Sequence, residues 1–492
     1  MTTEMQVLTT PTRSGLSRAE AALLIAIYAM VAIGLGIAIA RRSLLVAGLA
    51  LAVLAVFLVF RLKYNSIILV LCLYAGLASN TYSLISFGGK TLFLSVGDLG
   101  MIAVTGILLL WIMAELALGN DRVFTIPVEA RPFLIPLGVL GLVFVLSSLW
   151  AGIGPLASRI NFAESLLDYA HWLIGPVVLI LLANSAIKPE RFRTVVALLA
   201  MVFTVGYVAV ALFAQKEIET VITVGLNPFM RISGIFSDPN EMGEIAVLFL
   251  VILAAFELMA PKARRNILVW LLVAALAAMV LLTQSREALV SLLVSVVVLG
   301  FFLVKRNRKL AAVVLLALLA LSVVLLLRIP RVANTIIDIR SGAAVTALNG
   351  RNEVWSISLN VISSYPLTGT GFETLAMLTN GSIWHAHNGF MQAAVVSGVL
   401  GLLAYIWLVL NTGRYLFRYS RERDPTVRAI FTALFCVFAG YLITALVSDH
   451  FITLYVYSIL FWGIVGLALG ALRRARMEGV ALEEPVGSLS TL

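Results

Sequence analysis

Charge is what this chain has least of. Only 12% of its 492 residues are Asp, Glu, Lys or Arg, and 61% are hydrophobic. A soluble globular chain carries about 25% charged residues. So little charge cannot cover a water-facing surface, which excludes the string of soluble domains that the length alone would suggest. The sequence has two cysteines, Cys72 and Cys436, both inside apolar runs, which argues against a disulfide framework. Histidine is scarce too, at four residues. There is no Walker loop, no dinucleotide fingerprint and no cluster with metal-ligand spacing, so nothing points to the chemistry those motifs carry. No internal repeat or low-complexity tract appears.

What the sequence has in abundance is apolar runs of membrane-spanning length, about 20 residues each. Candidates lie near 21–40, 43–60, 65–79, 97–118, 132–150, 169–184, 194–214, 241–259, 266–283, 287–304, 310–328, 386–411, 429–447 and 452–472. Some are short, so the expectation is an all-α polytopic transmembrane helical bundle of 12–14 spans. Barrel strands would show shorter alternating segments. The first run lacks a small-residue cleavage site, so it reads as a retained helix and not a signal peptide.

The net charge of +10 would usually suggest nucleic acid. Here the basic residues sit in short clusters between apolar runs, so the expected surroundings are membrane lipids, with no nucleic acid. With the N-terminus inside, 24 of the 35 Lys and Arg fall on the cytoplasmic side and 11 outside. Arg41 and Arg42 are the exceptions to that pattern. The resulting division is a cytoplasmic segment 1–20, a first bundle part 21–328, a periplasmic loop 329–385, a second bundle part 386–472 and a cytoplasmic tail 473–492. This topology puts the 215–240 loop, the Thr283–Glu287 turn and the long loop on the outer face. The largest inner loop, about 412–428, is basic and holds no catalytic constellation.

The outer loop is too long to be a plain connection, and long loops are often functional. Asn349-Gly350 can open a helix running from Arg351 toward Ser364, with Val354, Trp355, Ile357, Leu359, Val361 and Ile362 forming a broad apolar face. Tyr365-Pro366 ends it, and Gly369-Thr370-Gly371 makes a turn. Such a helix can lie on the outer membrane surface or act as a packing lid. His385-Ala386-His387-Asn388 follows at the start of an apolar run. A histidine at that boundary can act as a general base or simply bond to lipid headgroups; residue chemistry alone leaves both readings open.

Two outer-face arginines stand beside helix starts. Arg231 precedes Ser237-Asp238-Pro239-Asn240-Glu241, which carries a capping signature, with Asp238 as cap and Pro239 at the first helical position. Arg286 follows Thr283-Gln284-Ser285. Helix N-termini and guanidinium groups both favour phosphate, although either arginine can also snorkel to lipid phosphate. Asp168 with His171, and Asp449 with His450, are further polar pairs at the outer boundary that could be catalytic, although such pairs are more often ordinary interfacial residues.

Taken together, these segments resemble the O-antigen ligase and polymerase family of bacterial envelope glycosyltransferases. His387-Asn388, nine residues, then Gly398-Val399-Leu400-Gly401 is similar to the family's spacing motif. Gly350-Arg351-Asn352-Glu353-Val354-Trp355, Tyr365-Pro366, Gly369-Thr370-Gly371-Phe372, the Arg231–Asn240 stretch and Thr283–Arg286 look like the family's outer segments. The resemblance runs from about residue 225 to 410. It implies a donor glycan carried on undecaprenyl pyrophosphate, and a glycan or lipid A-core acceptor. It further implies Arg231 and Arg286 on the pyrophosphate, His387 as the base that activates the acceptor hydroxyl, inversion at the anomeric carbon, and no metal or other cofactor. Arg351, Asn388 and Asn240 would support the site, and His385 is an alternative base. No carboxylate pair suited to glycoside chemistry stands on the outer face. A transporter or flippase of lipid-linked glycans is the competing class, and a membrane-bound acyltransferase a third.

Overall fold

In lipid each apolar run must satisfy its own backbone hydrogen bonds, and a helix does so within one segment. The computed structural model describes Val59, residues 62–77, 85–87, 90–92, 96–120, 124–153, 162–185, 187–213, 239–259 and 265–304, Lys309, Ala312, and residues 351–372, 374–379, 385–449, 451–452 and 455–478. The order is α1 (Asn65–Leu77), β1 (Ile85–Phe87), β2 (Lys90–Leu92), α2 (Val96–Ala117), α3 (Arg131–Ile153), α4 (Phe162–Ala183), α5 (Pro189–Phe213) and α6 (Pro239–Met259). Then come α7 (Ile267–Thr283), α8 (Arg286–Val304), α9 (Arg351–Ser364), α10 (Thr374–Leu378), α11 (Gly389–Tyr419), α12 (Pro425–Thr444) and α13 (Tyr455–Met477).

The helical bundle is the architecture that the hydropathy predicts. Among the described residues, eight helices are long and apolar enough to cross a membrane: α2, α3, α5, α6, α8, α11, α12 and α13. Shorter apolar stretches, Asp168–Ala183 within α4 and Ile267–Thr283 in α7, accompany them. The expected spans at 21–40, 43–60 and 310–328 lie outside the described residues, save Val59 and Ala312. One small addition to the all-helical expectation is the antiparallel pair β1–β2, in which Ser86 faces Thr91.

Burial separates the centre from the rim. The apolar window of α13 is 94% buried and that of α6 89%, against 28% for α2 and 33% for α5. The bundle is therefore built round α6 and α13. Helix α4 packs along α13, α8 and α12 pack on each other and on α6, and α3 packs along α11. An aromatic cluster of Tyr441, Phe451, Tyr457, Phe461 and Trp462 fills the space between α12 and α13.

Two helices run past their expected ends. The basic stretch 412–428 is not a loop: α11 continues to Tyr419, and α12 starts at Pro425 with Asp424 as its N-cap. The Asp424 carboxylate accepts from Thr426 N at 2.8 Å and Val427 N at 2.7 Å. A hydropathy window stops at the first charges. The helix goes on because Leu416 and Tyr419 stay buried on one face while Arg414 and Arg418 are exposed on the other. Likewise α13 runs through Arg473, Arg474 and Arg476 to Met477.

The two ends of the bundle differ in chemistry. At one end Arg473 donates to Asn184 and Thr125, both at 3.2 Å, and Arg476 reaches Glu129 at 2.9 Å and Glu422 at 3.4 Å. At the same end Arg193 pairs with the buried Glu257 at 2.9 Å. These contacts gather the segments that charge counting assigns to the inside. The opposite end carries the turn 284–285, helix α9 and the 385–388 segment.

Candidate functional site

The loop end is assembled round α9, which forms over the residues that the sequence predicts, Arg351 to Ser364. Its first turn is tied to α8: the Arg351 guanidinium donates to the Glu287 carboxylate. One turn further, Trp355 Nε1 donates to the Ala386 carbonyl at 3.1 Å. Residues four apart share a helix face. One face of α9 therefore holds the start of α8 and the histidine segment together.

The start of α8 is shaped by a tight connection from α7. Gln284 closes α7 in the left-handed region (φ 49°), its N–H donating to Leu281 O. Ser285 then caps α8, its hydroxyl accepting from Ala288 N at 3.2 Å. Arg286, half-buried, is the first helical residue, so its charge stands at the positive end of a helix dipole. Asn240 sits in the first turn of α6, which packs against α8. Arg231 and Asp238 lie outside the described residues.

The histidine segment is held on all sides. Asn388 caps α11, its side-chain oxygen accepting from Phe390 N and Met391 N, both at 3.0 Å. Its amide group donates to Leu446 O at 2.8 Å, and Gly389 N donates to Ala445 O at 2.8 Å, fastening the segment to the end of α12. Gln392 accepts from Ala386 N at 2.9 Å. His385 and His387 are both half-buried, their ring centroids 6.3 Å apart and nearly perpendicular. His385 Nδ1 stands 4.0 Å from Oδ2 of the buried Asp449. His387 adopts φ 48°. Among the described residues only Lys63, Gln284 and His387 are non-glycine residues with positive φ, and two of the three lie here. Strained backbone of this kind clusters at working sites.

The glycines of the spacing motif serve the loop's attachment. Helix α11 is broken at Ser397 (φ −142°) and Gly398 (φ 64°). The strap 366–371 enters that break. Thr370 N donates to Val395 O at 3.0 Å, Gly371 N to Val396 O at 2.8 Å, and Val399 N to Pro366 O at 2.7 Å. Ser147 of α3 donates to Thr368 O at 2.7 Å, and Phe372 N donates to Ser165 Oγ of α4 at 3.2 Å. The broken helix thus gives its freed backbone groups to the 366–371 strap and anchors α9 at its far end.

The structure brings His385, His387, Asn388, Arg286 and Arg351 to one end of the bundle. It also supplies partners that sequence reading did not. Glu287 is the partner of Arg351, Gln392 is an anchor of the histidine segment, and Asp449 faces His385. The signal for Asp449 was an acid in an otherwise apolar outer turn. The Asp449–His450 pair is not described, because His450 lies outside the described residues, and His171 stacks on Tyr455 at 5.1 Å. Among the described residues no group of three or more His, Cys, Asp or Glu could hold a metal ion.

Trp355→Phe tests the anchoring directly. It keeps the ring and removes the N–H, at a cost of roughly 1 kcal/mol. The melting temperature in detergent should fall by only a few degrees, while any reaction at the site slows several-fold. An unchanged rate would show that the Trp355 bond does not hold the histidines in working position.

Residues 270–406 match a family model described as O-antigen ligase. The matched stretch takes in α7, α8, α9 and the histidine segment, and ends within α11. No curated protein matches the chain.

Proposed function

We propose that this membrane chain, an O-antigen ligase relative over residues 270–406, transfers a glycan from undecaprenyl pyrophosphate to an acceptor hydroxyl at the outer face of the inner membrane. The observation that carries the reading is the double tether of α9. It brings a helix-start arginine pair and a histidine pair to one place, through Arg351–Glu287 and Trp355–Ala386. That is the pairing which displacement at a glycosyl pyrophosphate requires: positive charge for the leaving group and a base for the nucleophile.

In this reading Arg286 and Arg351, with Arg231, hold the pyrophosphate. His387 takes the proton of the acceptor hydroxyl as its oxygen bonds to the anomeric carbon. The bond from that carbon to the phosphate oxygen breaks, its electron pair leaves with undecaprenyl pyrophosphate, and the anomeric configuration inverts. The guanidinium groups supply the positive charge, so the reaction needs no metal ion. Left-handed backbone at His387 favours it as the base. The 4.0 Å approach of Asp449 to His385 favours the second assignment, a base oriented by a carboxylate.

One observation favours the transporter class: a discontinuous helix is common at transport sites, and α11 is discontinuous. Yet the break is filled by the chain's own strap, whose backbone bonds occupy the groups that a substrate would otherwise meet.

The test is purified protein in nanodiscs with an undecaprenyl-pyrophosphate-linked oligosaccharide. Either lipid A-core or a second lipid-linked oligosaccharide is supplied as acceptor. The expected result is transfer to one of them, with inverted linkage and undiminished by a chelator. Dependence on added divalent cation would remove the arginine-only account. Movement of the lipid-linked glycan across vesicles, without transfer to any acceptor, would replace the reading by transport.

A further inference from the structure

Beyond its break, helix α11 keeps one face exposed along its whole length. Leu400, Leu403, Trp407 and Leu410 are exposed there, and so are Arg414 and Arg418 on the last turns. At about 100° per residue these six positions fall within an arc of about 80°. Tyr405, Leu408, Leu416 and Tyr419, on the other side of the helix, are buried.

The stripe changes character at one point. From Leu400 to Leu410 it is apolar and rises about 15 Å. That is the depth of one leaflet of a hydrocarbon core about 30 Å thick. Trp407 stands near the end of this stretch, where aromatic rings favour the membrane boundary. Arg414 and Arg418 follow one turn apart, at the end of the bundle away from the histidine segment. Helical side chains lean toward the N-terminus, so both guanidinium groups reach back toward the headgroup layer. Asn411 donates to the Pro132 carbonyl, which brings the exposed Arg131 at the start of α3 to the same level.

The protein does not cancel this charge. Four acids of this end are already engaged: Glu129 and Glu422 with Arg476, Glu478 with Arg474, and Asp424 as the cap of α12. Neither Arg414 nor Arg418 makes an ion pair with a described residue. An apolar stripe alone meets any lipid tail, whereas two guanidinium groups in line with it select the headgroup. A zwitterionic headgroup sets its own cation against its phosphate. An anionic one brings uncompensated charge, and a guanidinium offers phosphate two parallel N–H donors.

We propose that this stripe of α11 binds a phospholipid with an anionic headgroup, in the leaflet away from the histidine segment. Its acyl chains lie along Leu400, Leu403, Trp407 and Leu410, and its phosphate lies between Arg414 and Arg418. The inference does not rest on the glycan-transfer reading, and its test needs no activity.

The experiment is native mass spectrometry of the full chain in detergent, titrated with phosphatidylglycerol or with phosphatidylcholine of the same acyl chains. The wild type should bind phosphatidylglycerol the more tightly, and less so at high salt. Arg414→Gln/Arg418→Gln should lower phosphatidylglycerol affinity about twentyfold, at about fivefold for each arginine near an anionic headgroup, and leave phosphatidylcholine binding unchanged. Lys188→Gln/Arg191→Gln removes the same charge from the exposed start of α5, at the same end, and should change little. Melting temperatures should match, since all four side chains are exposed. Equal losses in the two double variants would reveal diffuse attraction to surface charge and overturn the site. A wild type without preference for phosphatidylglycerol would do the same, as would a lipid-free dimer with a second copy of the chain on the stripe. Acyl-brominated phosphatidylglycerol locates the tails: it should quench less tryptophan emission in Trp407→Phe than in the wild type. Equal quenching would place the lipid elsewhere and remove the proposal.

Discussion

His387→Ala is expected to slow glycan transfer by about 10²–10⁴-fold, the span that a positioned general base contributes. The loss should fall on kcat, because in the proposed reaction the imidazole acts on the acceptor hydroxyl and leaves the donor's pyrophosphate alone. Arg286→Ala makes the contrast. A guanidinium at the first residue of α8 would hold charge that is partly present in the bound donor and grows as the sugar leaves. Its removal should therefore raise the donor KM as well as lower kcat, the latter by about 10²–10³-fold. The same assay decides between the two histidines. If His387 is the base, His385→Gln keeps a substantial fraction of the activity and mainly disturbs the contact to Asp449. If His385→Gln loses as much as His387→Ala while His387→Gln does not, the base is His385 oriented by Asp449. Intact transfer in both His387→Ala and Arg286→Ala would remove the mechanism altogether. Melting curves in detergent keep the comparison clean, since both side chains are half-buried and neither is a core residue.

The bundle was legible because hydropathy reports the solvent, and in lipid the backbone has one economical answer within a segment. Helix α9 was legible too, since Gly350 before it and Tyr365-Pro366 after it are strong local punctuation. The ends of α11 and α13 were not. A window average falls as soon as Arg414 or Arg473 enters it, although the buried face continues through Tyr419 and Ala475. Of the site, sequence gave the residues and not their partners. Arg351 and Glu287 are 64 positions apart, and His385 and Asp449 also come from separate elements. Only tertiary packing brings such pairs together. The spacing motif was visible as a pattern, but its physical meaning was not. Nothing in Gly398-Val399-Leu400-Gly401 announces that the helix breaks there to receive a strap from residues 366–371.

That meaning leads to the second large effect, at a position with no place in the chemistry. Gly398 adopts φ 64° and ψ −160°, a region that side chains rarely tolerate. A Cβ there would also come within 2.5 Å of the Leu367 backbone. Gly398→Ala must pay about 1–3 kcal/mol for the backbone alone. Relief by moving the strap breaks Val399 N to Pro366 O, leaving buried groups unpaired for roughly another 1–3 kcal/mol. Both routes push residues 366–371 out of the break. Because the strap is the far anchor of α9, its loss should free the Arg351 and Trp355 contacts and abolish transfer even where the bundle survives. Gly369→Ala should act alike, since a Cβ at φ 62° would meet the Ser397 backbone from the other side of the same contact. Gly401→Ala should be milder because its backbone carries no positive φ, and of the atoms a Cβ would meet the closest, the Ser397 hydroxyl, can rotate away, while Ser397 Cβ at 2.8 Å and Ala393 O at 2.9 Å must shift. The measurement is protease sensitivity of the 351–385 segment in nanodiscs, beside the melting temperature and the transfer rate. The expected order of damage is Gly398→Ala, Gly369→Ala, then Gly401→Ala, with cleavage in the loop rising as transfer falls. A Gly398→Ala protein that is as active and as protease-resistant as wild type would show that the break in α11 is not what holds α9 in place.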